Sequence, residues 1–270
     1  MKRFFSICLV AALTLGFVAC EEPEKGGEGN KPNNEQNGGN NGGENNGGNN
    51  NGGTTDSAYA CLNGTDYYPS IMDGETYKQI ESKVVSDLRV NDTDTWLWIW
   101  DETYVAGTCS GPNYFGNVDE WVSLTVGNIG WSGCGFCSYS KDKLDKLVAV
   151  TASPQDYVLH LAMKSQQYNE HTIIMYGVAD GSRDPQTGNI NTTKGEIPLT
   201  DAYDFPRDGE WHEIEIPMTA FTNKGVLFDG SIWATADPAT KKDGHNVIAI
   251  LSGTYGSLDI DACFIYKPAK

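Results

Sequence analysis

The sequence predicts an all-β fold, an antiparallel β-sandwich or jelly roll, for residues 54–270. Three observations predict this fold. Apolar and polar residues alternate with period two in several short segments, turn residues such as Gly, Asn, Asp and Pro separate those segments, and helical periodicity is scarce. The segment is long enough for one substantial core. It shows no clear repeat of the length that builds propellers or solenoids, which disfavours both architectures.

Each predicted element follows from its local pattern. Strands are predicted where β-branched, aromatic and aliphatic residues alternate with polar ones: residues 83–90, 95–100, 121–126, 157–163, 172–176, 212–216, 246–251 and 258–266. Two segments, 73–80 and 141–147, are short helix candidates.

The N-terminus has the organisation of an export signal. Lys2 and Arg3 precede an apolar stretch, residues 4–18, which is too short to span a bilayer comfortably and has the length of a signal-peptide core. The stretch leads into Ala19-Cys20, which resembles the lipobox of bacterial lipoproteins, with Phe17 where Leu is usual. The resemblance implies a signal peptide over residues 1–19, cleavage before Cys20, and a diacyl lipid on Cys20. The alternative is a plain secretory signal with an incidental Cys.

The residues directly after Cys20 are acidic, and the segment that follows them contains no aromatic or β-branched side chain. Glu21, Glu22 and Glu24 resemble the signal that exports lipoproteins to the cell-exterior face of the outer membrane in glycan-foraging Gram-negative bacteria. Residues 26–53 contain 11 Gly and 11 Asn among 28 positions. Such a segment buries too little apolar area to offset its ordering entropy, so residues 20–53 are predicted to be a disordered tether. A flexible chain of this length spans about 30 Å on average.

The charge balance excludes one class of partner. The chain carries 19 basic and 36 acidic side chains and a formal net charge of −17. Most of that charge belongs to the folded module rather than to the signal or the tether. A chain this acidic repels phosphate backbones, so we expect no nucleic-acid binding.

Three segments, in this order along the chain, resemble strands of jelly-roll carbohydrate-binding modules with a galactose-binding-like sandwich. They are residues 157–164, the motif Asp208-Gly-Glu-Trp-His-Glu-Ile-Glu-Ile-Pro217, and the closing segment 256–261. The resemblance implies a non-catalytic module that binds glycans. It also implies a structural Ca²⁺ held by Asp261 together with oxygen ligands from residues 81–87, the alternative being a solvent-facing carboxylate. Acidity favours neutral glycans over polyanionic ones.

Candidate ligand contacts are aromatic and polar side chains. Trp131 and Trp233 lie in predicted loops between small residues, which would leave a ring open for stacking on a sugar. Tyr168, Tyr203 and Tyr255 lie in similar polar loops. In the strand at 157–164, one face carries Val158, His160, Ala162 and Lys164, a mixture that suits either an open ligand-binding face or an ordinary solvated one. The predicted contacts are Trp131, His160, Lys164, Tyr168, Tyr176 and Trp233.

Trp96, Trp98 and Trp100 share one face of a predicted strand, with Leu97 and Ile99 on the other. Both faces are apolar, as in a strand central to a sandwich, so core packing is favoured over a sugar platform. Five cysteines follow the signal: Cys61, Cys109, Cys134, Cys137 and Cys263. Outside the cytoplasm some can pair, but an odd number leaves at least one free. The Cys134-Gly-Phe-Cys137 spacing is interpreted as a loop staple or plain thiols.

No catalytic motif is found, and no enzyme activity is expected. The acidic pair Glu213 and Glu215 shares a strand face but lacks the carboxylate arrangement of jelly-roll endoglucanases. The sequence therefore favours a lipid-anchored surface protein that captures glycans, with an outer-membrane transporter as a neighbouring partner. Two alternatives are an adhesin that binds host protein or matrix, and a hydrolase with an unrecognised carboxylate pair.

Overall fold

The computed structural model describes residues 62–91, 93–99, 109–110, 122–128, 130–168, 170–183, 185–186, 188, 190–230, 236–240 and 244–270. This part of the chain forms an antiparallel β-sandwich of jelly-roll type, as predicted. Its strands are β1 (Thr65–Ile71), β2 (Thr95–Ile99), β3 (Cys109–Ser110), β4 (Val122–Thr125), β5 (Trp131–Ser138), β6 (Val158–Lys164), β7 (His171–Arg183), β8 (Ile190–Pro198), β9 (His212–Pro217), β10 (His245–Gly253) and β11 (Ser257–Lys267). Its helices are α1 (Gly74–Ile80), α2 (Lys141–Lys146), α3 (Val148–Ala152) and α4 (Met218–Thr222).

The strands form two sheets. The first sheet has the order β3-β4-β11-β6-β9, and β1 also pairs with β11. The second sheet has the order β2-β5-β10-β7-β8. The chain crosses between the sheets at most connections, which is how a jelly roll encloses one core between two layers.

The core lies between the two sheets and follows the period-two alternation of the sequence. In β6, Leu159, Leu161 and Met163 are fully buried and point inward, and the second sheet contributes alternating residues such as Ile173 and Ile250 from the other side. Alternation along each strand therefore sets which face is buried, as the sequence predicts.

The short helix α1 covers part of the outer face of the first sheet. Asp73 caps the helix, since its carboxylate accepts hydrogen bonds from the backbone N–H groups of Glu75 and Thr76, both at 2.9 Å. The buried side of the helix contributes Ile80 to a second apolar cluster that includes Phe264. Over this area the first sheet is thus closed on both faces.

Three sequence expectations need correction. Residues 83–90 do not form a regular strand: a 3₁₀ turn (Glu81–Lys83) is followed by an isolated bridge between Val84 and Tyr67. The strands β1, β5 and β8 were not predicted. β5 contains Gly133 and Gly135, and β8 is mostly polar, so neither shows a clear alternation. β2 ends the described strand order of its sheet rather than lying at its centre.

At least one cysteine is free, as the odd number predicts, but Cys134 and Cys137 lie in strand β5 and not in a loop. Cys137 is disulfide-bonded, whereas Cys263 is free and buried. Burial raises the pKa of the Cys263 thiol, which keeps it protonated and unreactive. Within the described ranges no helix is long and apolar enough to cross a membrane.

We expect Ile80→Ala to lower the free energy of unfolding by about 2–5 kcal/mol, because it removes a fully buried side chain from the contact between α1 and the first sheet. Urea denaturation measures the change. The matched control Gln79→Ala, on the exposed side of the same helix, should change the value by no more than about 0.5 kcal/mol. Equal effects of the two substitutions would contradict the described packing.

Candidate functional site

Two predicted contact residues, Trp131 and Tyr168, lie at one end of the sandwich. We call this the hairpin end and define it by the β4–β5 connection (126–130) with Trp131, the β6–β7 connection (165–170) and the β10–β11 connection (254–256). The Gly253 N–H donates to the Glu170 carbonyl (3.1 Å), and the Thr254 N–H (2.8 Å) and hydroxyl (2.7 Å) both donate to the Gly130 carbonyl. Backbone hydrogen bonds therefore hold the three connections together as one surface.

Three aromatic residues lie on the segments that meet at Gly253. Trp131 pairs directly with Gly253 and is half-buried. Tyr168 is 86% exposed and Tyr255 is 60% exposed, so both rings are accessible to a ligand. The structure thus brings Trp131 and Tyr168 to one end, as their predicted role requires, and adds Tyr255 from the same set of loop aromatics.

Tyr255 has a backbone conformation that does not suit its side chain. Its φ is +59°, in the left-handed region that favours Gly and Asn, and bulky residues are rare there. Strained residues of this kind concentrate at functional sites, where the side chain is retained despite its conformational cost. The strain at Tyr255 is therefore an independent reason to place a function at the hairpin end.

Lys164 lies beside the hairpin end, on the outer face of the first sheet. Its Nζ is 3.2 Å from Asp259 Oδ2 and 4.7 Å from the centroid of the Trp211 ring. Lys164 and Asp259 pair directly across β6 and β11, so the register of the sheet fixes the contact. The three side chains form a polar and aromatic group with an internally balanced charge. Trp211 was noticed in the sequence as part of a strand motif but not as a candidate contact.

His160 does not lie on an open face. It is fully buried, its Nδ1 is 2.9 Å from the Ala262 carbonyl oxygen, and its ring stacks on Phe264 at 4.7 Å between centroids. Burial lowers the pKa of His160. The prediction of an open face at His160 and Ala162 is therefore wrong, because the segment around α1 and the aromatic cluster close this part of the first sheet.

Tyr176 is also enclosed. It lies on the outer face of the second sheet but is only 3% exposed, within an apolar cluster that contains Ile174 and Ala249. The Lys194 Nζ is 5.8 Å from its ring centroid, and burial raises the pKa of its hydroxyl. The described packing therefore does not leave Tyr176 open to a ligand.

On the same sheet Trp96 is half-buried and faces away from the core side that Leu97 occupies, so core packing was the wrong expectation for it.

Several predicted sites are not assembled by the described residues. Trp233 and Cys20 lie outside them. Asp261 lies at a β-bulge of β11, where its Oδ1 accepts from the Ala262 N–H at 2.6 Å. In the described part of the chain no group of three His, Cys, Asp or Glu side chains could hold a metal ion. The predicted site combined one carboxylate with other oxygen ligands, so Ca²⁺ at Asp261 stays a prediction and enters no step below.

The acidic pair on β9 is exposed on the outer face of the first sheet. Glu215 Oε1 accepts a hydrogen bond from the Tyr266 hydroxyl at 2.5 Å, which gives this carboxylate a structural contact. Glu213 is its exposed neighbour on the same face.

No protein-family model matches the sequence, and no curated protein matches it. Among solved structures, the chain is similar to the family 30 carbohydrate-binding module of a cellulosomal cellulase of Clostridium thermocellum (TM-score 0.36, 10% identity, 67% of this chain and 96% of that one). It is also similar to a family 11 carbohydrate-binding module of another cellulosomal cellulase of that organism (TM-score 0.33, 15% identity, 65% and 88%). A third similar structure is the cleaved adhesin domain of Lys-gingipain from Porphyromonas gingivalis (TM-score 0.25, 12% identity, 65% and 91%). The identities and TM-scores are low, so these likenesses assign no ligand to this chain.

A buried histidine lies directly under the hairpin end. His171 begins β7, is fully buried, and both of its ring nitrogens lack a hydrogen-bond partner in the structure. Burial, with a smaller contribution from the Arg207 charge, lowers its pKa to about 4. The ordinary value is about 6.5, so between pH 6.5 and 4 the unfolded chain binds a proton that the folded chain does not. Stability is therefore lost as the pH falls through this window.

We expect His171→Gln to flatten the pH dependence of stability between pH 6.5 and 4, because it removes a group whose protonation favours the unfolded chain. The His171 contribution to that slope amounts to about 3 kcal/mol over the window. Denaturant unfolding at a series of pH values measures it. The buried control Ser70→Ala should keep the wild-type slope, and an unchanged slope in His171→Gln would contradict the burial argument.

Proposed function

We propose that the protein is a non-catalytic lipoprotein of the outer-membrane surface that binds neutral polysaccharide or oligosaccharide and aids its capture for uptake. The observation that supports binding is the hairpin end, where Tyr168 and Tyr255 expose their rings and Tyr255 does so at a strained backbone position. Trp131 and the group of Lys164, Asp259 and Trp211 border the same end.

The chemistry of this surface suits sugars. A flat aromatic ring stacks on the C–H face of a pyranose, which removes apolar area from water on both partners. Carboxylate, ammonium and amide groups at the border, such as Asp259, Lys164 and Gln166, supply donors and acceptors for hydroxyl groups. Each contact is weak, so useful affinity depends on several contacts acting together.

Electrostatics favours neutral glycans. The chain has a net charge of −17, and the Lys164 ammonium beside the hairpin end is already paired with a carboxylate. Uronate or sulfate groups would meet a repulsive potential without an unpaired cation at this group of residues to offset it.

The N-terminal segment supports a place on a membrane. A diacyl lipid on Cys20 would anchor the chain, and the Gly- and Asn-rich tether would hold the module away from the bilayer. Many such receptors on one surface would retain a long polysaccharide by avidity, even where each site binds weakly, and would present it to a neighbouring transporter.

We expect Tyr168→Ala and Tyr255→Gly each to weaken binding to a neutral polysaccharide by about tenfold, which corresponds to the loss of one stacking contact of about 1.4 kcal/mol. Because glycine relieves the positive φ, Tyr255→Gly should not lower the denaturation midpoint, so that lost binding cannot be ascribed to unfolding. Affinity electrophoresis against a panel of neutral and acidic polysaccharides, with urea denaturation of the same samples, measures both quantities.

The matched control is Leu227→Ala, an exposed apolar side chain 49% accessible and located away from the hairpin end; it should bind like the wild type. Binding that survives the Tyr168→Ala and Tyr255→Gly pair would remove the hairpin end from the proposal. Absence of glycan binding with tight binding to a host protein would favour the adhesin, and release of reducing ends from the polysaccharide would favour the hydrolase.

We expect Cys20→Ser in the full-length chain to abolish incorporation of radiolabelled palmitate and to move the protein from the membrane to the soluble fraction. Replacing Glu21, Glu22 and Glu24 together by Ala should keep the lipid but protect the module from protease added to whole cells. A Cys20→Ser protein that still carries the lipid would exclude Cys20 as the anchor, and a module that stays protected in the wild type would exclude the cell-exterior location.

A further inference from the structure

Three buried polar side chains lie together under the hairpin end with hydrogen-bonding groups that lack partners. His171 is fully buried and both of its ring nitrogens are unpartnered. Ser252 is 1% exposed with an unpartnered Oγ, and Arg207 is 8% exposed with an unpartnered Nε. Buried polar groups in folded proteins almost always have a partner, so three such groups in one place point to an occupant.

The register and the backbone hydrogen bonds bring the three side chains to one place. Ser252 and His171 are directly opposite each other on β10 and β7, and both side chains are buried. Leu199 connects them to Arg207, because its N–H donates to the His171 carbonyl and its carbonyl accepts from Arg207 Nη2. The Arg207 charge also contributes to the lowered pKa of the His171 ring.

The remainder of the Arg207 guanidinium is fixed. One Nη1 hydrogen bond goes to the Phe205 carbonyl, an ion pair at 3.0 Å joins Nη1 to Asp204 Oδ1, and the group stacks on the Phe205 ring at 3.5 Å. These contacts leave Nε–H without a hydrogen-bond partner. Because the Asp204 carboxylate is half exposed, the buried guanidinium is neutralised mainly from the solvent side.

The unpartnered groups are rich in donors. Arg207 contributes an N–H with a formal positive charge, neutral His171 contributes one N–H, and the Ser252 hydroxyl can donate as well. Charge-assisted hydrogen bonds of this kind are the strong ones, and their natural acceptor is an anion. The three side chains are buried, so an ion that binds them must be small.

We propose that Arg207, His171 and Ser252 form a buried binding site for a small inorganic anion of the size of chloride, under the hairpin end. The anion accepts hydrogen bonds from the groups that the protein leaves unpartnered and offsets the guanidinium charge on the side that Asp204 does not reach. By joining β7, β10 and the β8–β9 connection, it stabilises the end of the sandwich that carries Trp131, Tyr168 and Tyr255. The site does not depend on the proposed glycan binding.

Bromide, which replaces chloride and scatters anomalously, tests the proposal. Crystals of the protein grown in sodium bromide should show an anomalous peak within hydrogen-bonding distance of Arg207 Nε. In solution the melting temperature of the wild type should be a few °C higher in sodium bromide than in sodium methanesulfonate at equal ionic strength, because methanesulfonate is too bulky to enter.

Matched variants separate this effect from general salt effects. Ser252→Ala and Ser70→Ala each remove one buried, unpartnered hydroxyl, but Ser70 lies on β1, away from the site. Ser252→Ala should lose at least half of the bromide-dependent shift and Ser70→Ala should keep it. Arg207→Lys, which keeps the charge but lacks Nε–H, should lose the shift if it folds.

The wild-type crystal decides the question even if a variant is unstable. An ordered water only, with no anomalous signal at the three groups, would overturn the proposal. An equal bromide shift in Ser252→Ala and Ser70→Ala would also overturn it. Glycan binding measured in the same two salts keeps the two proposals distinct, since loss of the anion site would leave the exposed rings in place.

Discussion

The hydrogen bonding of β11 is the constraint on which the rest of the structure depends. One edge of this strand pairs with β4 over Ser257–Ile260 and then with β1 over Cys263–Lys267, while its other edge pairs with β6. The bulge between Asp261 and Phe264 marks the change of partner. Extra residues at a bulge re-aim the side chains that follow, and here Phe264 and Tyr266 lie on the outer face of the sheet, where α1 covers them. The last strand thus joins six strands and one helix into a single unit.

The same constraint determines where the molecule is open. Covering Phe264 and Tyr266 also covers His160, so the middle of the first sheet cannot serve as a ligand-binding face. At the other end of β11, the short connection to β10 crosses from one sheet to the other and is held between the neighbouring connections by backbone hydrogen bonds. Loops on a rigid sandwich are the usual carriers of binding residues. The aromatic side chains of the hairpin end therefore have a fixed support without occupying the core.

Sequence patterns predicted those parts of the structure that local physics determines. Alternation identified β6, β7, β9, β10 and β11 to within a few residues of their ends, except that β7 extends to Arg183. The segment preceding Ile80 was correctly expected to be helical.

Alternation could not reveal β5, because Gly133 and Gly135 leave no side chain to alternate. It also could not distinguish an exposed polar face from one covered by a distant segment: His160 has the same sequence signal as Lys164, but α1 covers one and not the other. The positive φ of Tyr255 leaves no trace in composition or periodicity. Sequence patterns therefore did not predict the long-range contacts or the backbone conformation of single residues.

Two departures from ordinary folding rules coincide at the hairpin end, and their coincidence carries more weight than either alone. Tyr255 holds a bulky side chain in the left-handed region, and Ser252, on the adjoining strand end, has a buried hydroxyl without a partner opposite His171. Each costs stability. Natural sequences are otherwise locally consistent, and their inconsistencies collect where function constrains them. An exposed ring retained at a conformational cost is explained if the ring binds a ligand. The unpartnered donors beneath the ring are explained if a bound ion accepts hydrogen bonds from them. The first explanation concerns glycan binding at the exposed surface, and the second concerns an anion among the buried residues beneath it. The failure of one experiment therefore does not decide the outcome of the other.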